Sequence, residues 1–175
     1  VYTGVDGNGL VIGGLGGNVT IANGIGVTGS VSANSKDAAA TAIRLGAGAS
    51  TPQLQNGGTI SAASGNTAAS LATAVKIESG ASLPALRNSG TIKASTGENG
   101  TAVAIRDASG TLTLIENSGT ISATGAKADS GRNIAINLSG TTTDVTIRQT
   151  EVAATYTAPA ITGDVRLGSG NDTFT

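Results

Sequence analysis

Apolar and polar residues alternate along this chain in short runs. In TAIRLG (41–46), Ile43 and Leu45 flank Arg44, and in GTISA (58–62), Ile60 and Ala62 flank Ser61. Alternation over so few residues predicts strands with one buried face. The Gly, Asn and Ser-Gly steps between the runs predict turns. Two Ala-rich pieces, DAAATA (37–42) and NTAASLATA (66–74), could form single helical turns, but continued alternation into the next run makes strand the simpler expectation.

The runs recur. QNGGTISAA (55–63), RNSGTIKAS (87–95) and ENSGTISAT (116–124) are variants of one phrase. Val31, Ile60, Ile92, Ile121 and Val152 align as its apolar residue, at intervals of 29, 32, 29 and 31. A second phrase keeps step through Ile43, Val75, Ile105 and Ile136, at intervals of 32, 30 and 31. Ile12 is assigned as an earlier copy of the second phrase and Ile161 as a later one. Two phrases sharing one period predict a repeat architecture.

The expected fold is all-β: a single-stranded right-handed parallel β-helix, or β-solenoid, of about 30 residues per coil. Each coil holds three strands, named here after their phrases: AIRL, LxN and GTI. Right-handedness follows from the strong preference of parallel crossovers. The whole chain, residues 1–175, is read as one such domain and as a piece of a longer repetitive protein.

An amide precedes each GTI phrase. Asn23, Asn56, Asn88, Asn117 and Gln149 share parity with the apolar residue two before them, so each is expected to point inward at a corner. Buried amides must be paired, and stacking in register pairs them as a ladder. That structural role is preferred to a polar binding site. The Gly-Gly or Ser-Gly that follows is expected to take positive φ.

Composition narrows the chemistry. With 27 glycines and only 12% charged residues the chain could be disordered, but its β-branched content and net charge of −1 argue for a folded β protein. That small charge gives no electrostatic case for nucleic acid. No apolar run reaches the length of a membrane-spanning helix, so this segment is not expected to span a membrane. His and Cys are both absent, which excludes a thiolate metal site, a thiol nucleophile and the usual triad. Asp37, Glu78, Glu98, Asp107, Glu116, Asp129, Asp144 and Glu151 are scattered rather than paired. Aromatic residues, the usual platforms for sugar, make up 2%. The expectation is therefore no enzyme.

Two outward charged columns are expected. Arg44, Lys76 and Arg106 share one, with Asn137 next, and solvated side chains are preferred there to a polyanion-binding stripe. Gln55, Arg87, Glu116 and Arg148 share the other and alternate in sign. Near the C-terminus, GSGNDTF (168–174) looks like one copy of a calcium-binding nonapeptide repeat. Such sites need tandem copies, so a plain turn is preferred. Asp172 is the residue that would carry calcium, and no other cofactor is expected. The segment GAKADSGRN (125–133) is the expected protrusion.

Taken together, NGGTI (56–60), NSGTI (88–92 and 117–121), the GAS turns (48–50 and 80–82) and GDVRLGSGNDTFT (163–175) resemble the passenger region of bacterial autotransporters and related β-helical surface adhesins. The resemblance spans nearly the whole chain, but its motifs are degenerate and specify architecture more than activity. It implies export across the outer membrane of a Gram-negative cell, an extracellular location at the cell surface, and a stalk, fibre or surface-layer role. The absence of Cys suits a chain exported unfolded. The partners it implies are neighbouring coils, further copies of the chain, or a glycan or cell-surface protein.

Overall fold

The computed structural model describes residues 4–150, 152 and 157–175. They contain strands and turns and no helix; the two Ala-rich pieces lead into the strands Ala39–Leu45 and Leu71–Ile77. Every strand pairing is parallel.

Three sheets run along a β-solenoid; each of five coils gives one strand to each sheet, and a closing partial coil gives Asp164–Arg166 and Thr173–Phe174 to two of them. The AIRL sheet is Gly7–Ile12, Ala39–Leu45, Leu71–Ile77, Thr101–Asp107, Asn133–Asn137 and Asp164–Arg166. The LxN sheet is Ile25–Val27, Gln53–Asn56, Ala85–Asn88, Leu114–Asn117, Thr146–Gln149 and Thr173–Phe174. The GTI sheet is Ser30–Asn34, Thr59–Ala63, Thr91–Ser95, Thr120–Thr124 and Ala160–Thr162. Val19–Thr20 and Ala49–Ser50 form a small extra pair.

Because neighbours are parallel and in register, like residues stack into columns. Ile43, Val75, Ile105 and Ile136 form one column; Leu54, Leu86, Ile115 and Ile147 form a second; Ile60, Ile92 and Ile121 form a third. All are 0% exposed, and burial of each such side chain stabilises the fold by roughly 1.5–3 kcal/mol. A fourth column, Ala42, Ala74, Ala104 and Ala135, is also fully buried. At the matching Gly9 a Cβ would lie 2.5 Å from the Ala42 carbonyl oxygen of the next coil, 3.1 Å from the Ser32 carbonyl oxygen and 3.2 Å from Val31 Cγ1, so this first-coil position has no room even for a methyl. The column packs at close range near the GTI strands, and small side chains occupy it throughout.

Three alignments at the ends of the chain are corrected by the register. Ile121 lies opposite Ile161, not Val152, so the closing coil takes its GTI residue from Ala160–Thr162. Ile161 therefore leaves the AIRL column, where Val165 follows Ile136. In the first coil Leu10, not Ile12, opposes Ile43, and Ile12 opposes Leu45. Val152 and Ile12 had each been placed 31 positions from their neighbours, whereas Ile161 stood only 25 after Ile136 and Val165 stands 29 after it. Backbone pairing fixes the columns, while the corners absorb extra residues.

The corners also correct the role of glycine. The glycines with left-handed φ include Gly48 (81°), Gly80 (80°) and Gly110 (71°), which lie in or beside the GAS-type turns; Gly24 after Asn23 is among them (89°), but Gly57, Gly58, Gly90 and Gly119, in the corners after Asn56, Asn88 and Asn117, are not. Gly58, Gly90 and Gly119 are required for space instead. A Cβ on each would sit 2.0–2.1 Å from the carbonyl oxygen of Gly29, Gly58 and Gly90, respectively, one coil below.

Candidate functional site

The amide column is the most ordered polar feature of the interior. Asn56 Nδ2 donates to Asn88 Oδ1 at 2.7 Å, Asn88 Nδ2 to Asn117 Oδ1 at 2.8 Å, and Asn117 Nδ2 to Gln149 Oε1 at 2.6 Å. Each Asn Nδ2 also reaches two carbonyls. Those of Gly58, Gly90 and Gly119 lie in its own corner, and those of Thr91, Thr120 and Ala160 lie in the coil above. Asn56 and Asn88 are 2% exposed and Asn117 is 0%. Amides so enclosed have no face to offer a ligand, and their work is structural. Asn23 stands outside the ladder. Val27 lies opposite Asn56, and Asn23 is exposed. The Gly-rich stretch before Ile25 lengthens that corner, so the amide falls out of register.

Both charged columns are in place. Glu116 receives Arg87 from the coil below and Arg148 from the coil above, forming a three-member row. In the other column the counter-charge comes from Glu78, one of the acids read as scattered, which sits just past the strand Leu71–Ile77. Its carboxylate takes Arg44 at 2.9 Å and Lys76 at 2.9 Å, so these two cations share one counter-charge. Their mutual repulsion is what makes an acid useful there. Arg106 has no ion pair among the described residues and remains the exposed cation of the stripe.

The Arg44 hydrogen bond pulls the Glu78 carboxyl down to about 2; burial opposes this and Lys76 adds to it. A carboxyl depressed in the folded state stabilises that state above its unfolded pKa of about 4.3. The stabilisation is lost as pH falls from there toward 2. Since the group is 23% exposed, solvent screening limits it to about 1 kcal/mol. Glu78→Gln is therefore expected to lower the urea midpoint at pH 7 and to be indistinguishable from the parent at pH 2.

Three further acidic residues, Asp107, Asp144 and Asp172, accept hydrogen bonds from backbone N–H groups. Asp107 occupies the column of Leu45 and Ile77 and is 3% exposed. Its Oδ1 accepts the Ser109 and Gly110 N–H groups and the Ser109 hydroxyl, and its Oδ2 accepts the Leu112 N–H. Asp172 Oδ1 accepts the Val145 N–H at 2.9 Å, and Asp144 Oδ1 accepts the Asn171 N–H at 2.8 Å. Asp107 thus fixes its own turn, while Asp144 and Asp172 tie turns to the adjacent coil. Among the described residues no three His, Cys, Asp or Glu side chains are grouped to hold a metal ion.

The longest corner lies elsewhere than expected. Residues 125–132 are tied down: Asn133 exchanges two hydrogen bonds with Ala126, and Lys127 N–H and Arg132 Nη2 both donate to the Glu98 carbonyl. The larger insertion is 150–159, where the other LxN-to-GTI corners use only 57–58, 89–90 and 118–119. The sequence carried a signal for it: Ile121 to Ile161 spans 40 positions, against 29–32 elsewhere. Glu151 and 153–156 fall outside the described residues.

Beside this corner runs a groove of about 400 Å³, crossing several coils. Gln55, Arg87 and Glu116 form one wall and Ser89 and Ser118 the other, with Thr150 at its upper end. A second hollow of about 550 Å³ lies between Ser89–Thr91, Ser118–Thr120 and the insertion residues Val152, Thr157 and Ala158. Such an arrangement offers hydrogen-bonding groups and a row of charge. Among the residues lining the groove, no nucleophile–base pair or opposed carboxylates stand at catalytic spacing.

Among the described residues, no helix is long and apolar enough to cross a membrane. Comparison with family models, curated proteins and solved structures returned no match.

Proposed function

We propose that this chain is a non-catalytic structural solenoid, working as a stalk, fibre or surface-layer element of a bacterial surface protein of the autotransporter passenger kind. The observation behind the reading is where the repeated positions are used. The column residues are spent on coil-to-coil stacking: Ile in the core, Asn in the ladder and Gly at the corner. What repeats therefore builds length. The outward positions carry short polar side chains and a few ion pairs, which suits a solvated rod. Location outside a Gram-negative cell rests on the resemblance of the NSGTI and GAS phrases and on a composition without Cys. The reading needs no cofactor, and calcium at Asp172 forms no part of it.

Incubation with a panel of polysaccharides, scored for new reducing ends, tests the non-catalytic claim. No turnover is expected, and turnover abolished by a groove substitution would overturn the reading.

A second reading, a binding module for a glycan or a cell-surface protein, is favoured by one feature: the 150–159 insertion beside the Arg87–Glu116–Arg148 row. Function sits in sites grafted on folds, and this corner is where the repeat is broken. If the groove binds, Arg87→Ala should weaken the interaction by about tenfold or more, since a charged hydrogen-bonding partner contributes roughly 1.5–3 kcal/mol. The urea midpoint should stay nearly unchanged, because an exposed ion pair adds less than about 1 kcal/mol. A glycan array without hits for the parent chain would count against this reading.

A further inference from the structure

The parallel register builds a row of cations along the outer face of the AIRL sheet. Arg44, Lys76 and Arg106 stand on successive coils, Asn137 follows, and Arg166 comes next. Arg166 extends the stripe beyond the residues that spacing alone aligned. Adjacent coils lie about 4.8 Å apart, so the row from Arg44 to Arg166 runs for roughly 20 Å. The carboxylates that reach it are those of Glu78 and Asp164, two against four cations.

Like charges directly opposite one another on neighbouring strands are destabilising, and coil stacking does not ask for them. Glu78 relieves Arg44 and Lys76 and also fixes them. Arg44 Nε donates to Glu78 Oε1 at 3.0 Å and its Nη2 to Oε2 at 2.9 Å, while Lys76 Nζ stands 2.9 Å from Oε1. Among the described residues this leaves Arg44 Nη1 and the other Lys76 N–H groups as donors for a further acceptor. Arg106 is exposed and has no ion pair there. Asn137 Oδ1 accepts the Ser139 N–H and hydroxyl, so its Nδ2 is also left to donate. Side chains held in place before a ligand arrives lose less entropy on binding it.

We propose that this stripe binds a linear acidic polysaccharide, one carboxylated sugar to each coil. A pyranose unit with its linking oxygen is close in length to the coil spacing, so successive carboxylates fall opposite successive cations. The Asn137 amide, uncharged between Arg106 and Arg166, suits a sugar hydroxyl as well as a carboxylate. A nucleic acid is the other long polyanion, but single strands are held by bases stacked on aromatic side chains, and the stripe contains none. The stripe lies on a different sheet from the Arg87–Glu116–Arg148 row, so it does not depend on the groove reading. It leaves the non-catalytic solenoid in place and gives one face of the rod a ligand.

Calorimetric titration of the chain with hexagalacturonate at low salt tests this. Saturable binding is expected, weakening as salt is raised because exposed charges are screened. The methyl-esterified oligomer, which lacks the charges, should not bind, and digalacturonate should bind far more weakly because it spans too few coils. Arg106→Gln should weaken hexagalacturonate binding by about tenfold, the loss of one charged hydrogen-bonding partner. Its urea midpoint should not move, since Arg106 has no ion pair to lose. Lys93→Gln removes an exposed cation from the GTI sheet instead and should leave the affinity nearly unchanged.

The absence of saturable hexagalacturonate binding at low salt would overturn the proposal. So would a methyl-esterified oligomer or a digalacturonate that binds as tightly. Equal losses for Arg106→Gln and Lys93→Gln would show attraction to charge in general and no stripe. Tighter binding of an oligothymidylate would assign the stripe to phosphates and remove the polysaccharide. All of these would leave the structural reading standing, whereas new reducing ends released from the polysaccharide would remove that reading whether or not the stripe binds.

Discussion

Asn88→Ala is expected to lower the unfolding free energy by about 2–4 kcal/mol, read as a fall in the urea midpoint with an unchanged slope. Asn88 sits in the middle of the ladder, donating to Asn117 and accepting from Asn56. Truncation leaves Asn117 Oδ1 without its side-chain donor, and Asn56 Nδ2 keeps only its carbonyl contacts at 3.1 and 3.3 Å. A buried polar group left unpaired costs about 1–3 kcal/mol, and the missing volume adds to that. Gln149 stands at the end of the ladder and is half-buried. Gln149→Ala should therefore cost less than half as much. Equal costs at the two positions would mean that the amides contribute singly rather than as a stack.

Gly90→Ala is expected to be worse, at about 3 kcal/mol or more, because overpacking against rigid backbone strains both partners. The added Cβ would fall 2.1 Å from the Gly58 carbonyl oxygen, and backbone cannot rotate away as a side chain can. To make room the two coils must separate at that corner, stretching the hydrogen bonds from Gly90 N–H to the Asn56 carbonyl and from Thr91 N–H to the Gly58 carbonyl. Gly29→Ala, in the same column with open space beneath it, should be close to neutral in the isolated chain. Thermal melts of the two variants make the comparison, and a neutral Gly90→Ala would show that the coils are not as close as the corner geometry requires.

Much of this was legible because repeat proteins state the same physics several times. Ile60, Ile92 and Ile121 recur with the same neighbours, so the period, the inward parity and the inner ladder from Asn56 to Gln149 could be read from spacing. The misreadings cluster where repetition stops. Val152 fits the period better than Ile161, but a strand is selected by its pairing partner, and the 150–159 insertion shifts the phase by almost a third of a coil. Asn23 failed for the same reason at the other end.

Glycine was misread in kind. Positive φ and lack of room both select glycine, and a sequence does not separate them. The GAS-type turns use the first property, and the Asn corners use the second. The pairing of Glu78 was not legible because its partners, Arg44 and Lys76, come from a different coil and from the adjoining strand. Which acid falls between them depends on how the chain leaves Ile77. The candidate groove was legible only as a charged column, since its second wall is made by corner serines that look like turn residues.

The most direct test of the stacked-coil account is a methyl NOESY spectrum of the chain with labelled Ile and Val methyls. In-register columns predict an unbroken chain of contacts from Val31 through Ile60, Ile92 and Ile121 to Ile161, and a second from Ile43 through Val75, Ile105 and Ile136 to Val165. Contacts from Ile121 to Val152 in place of Ile161, or a chain broken between successive coils, would contradict it.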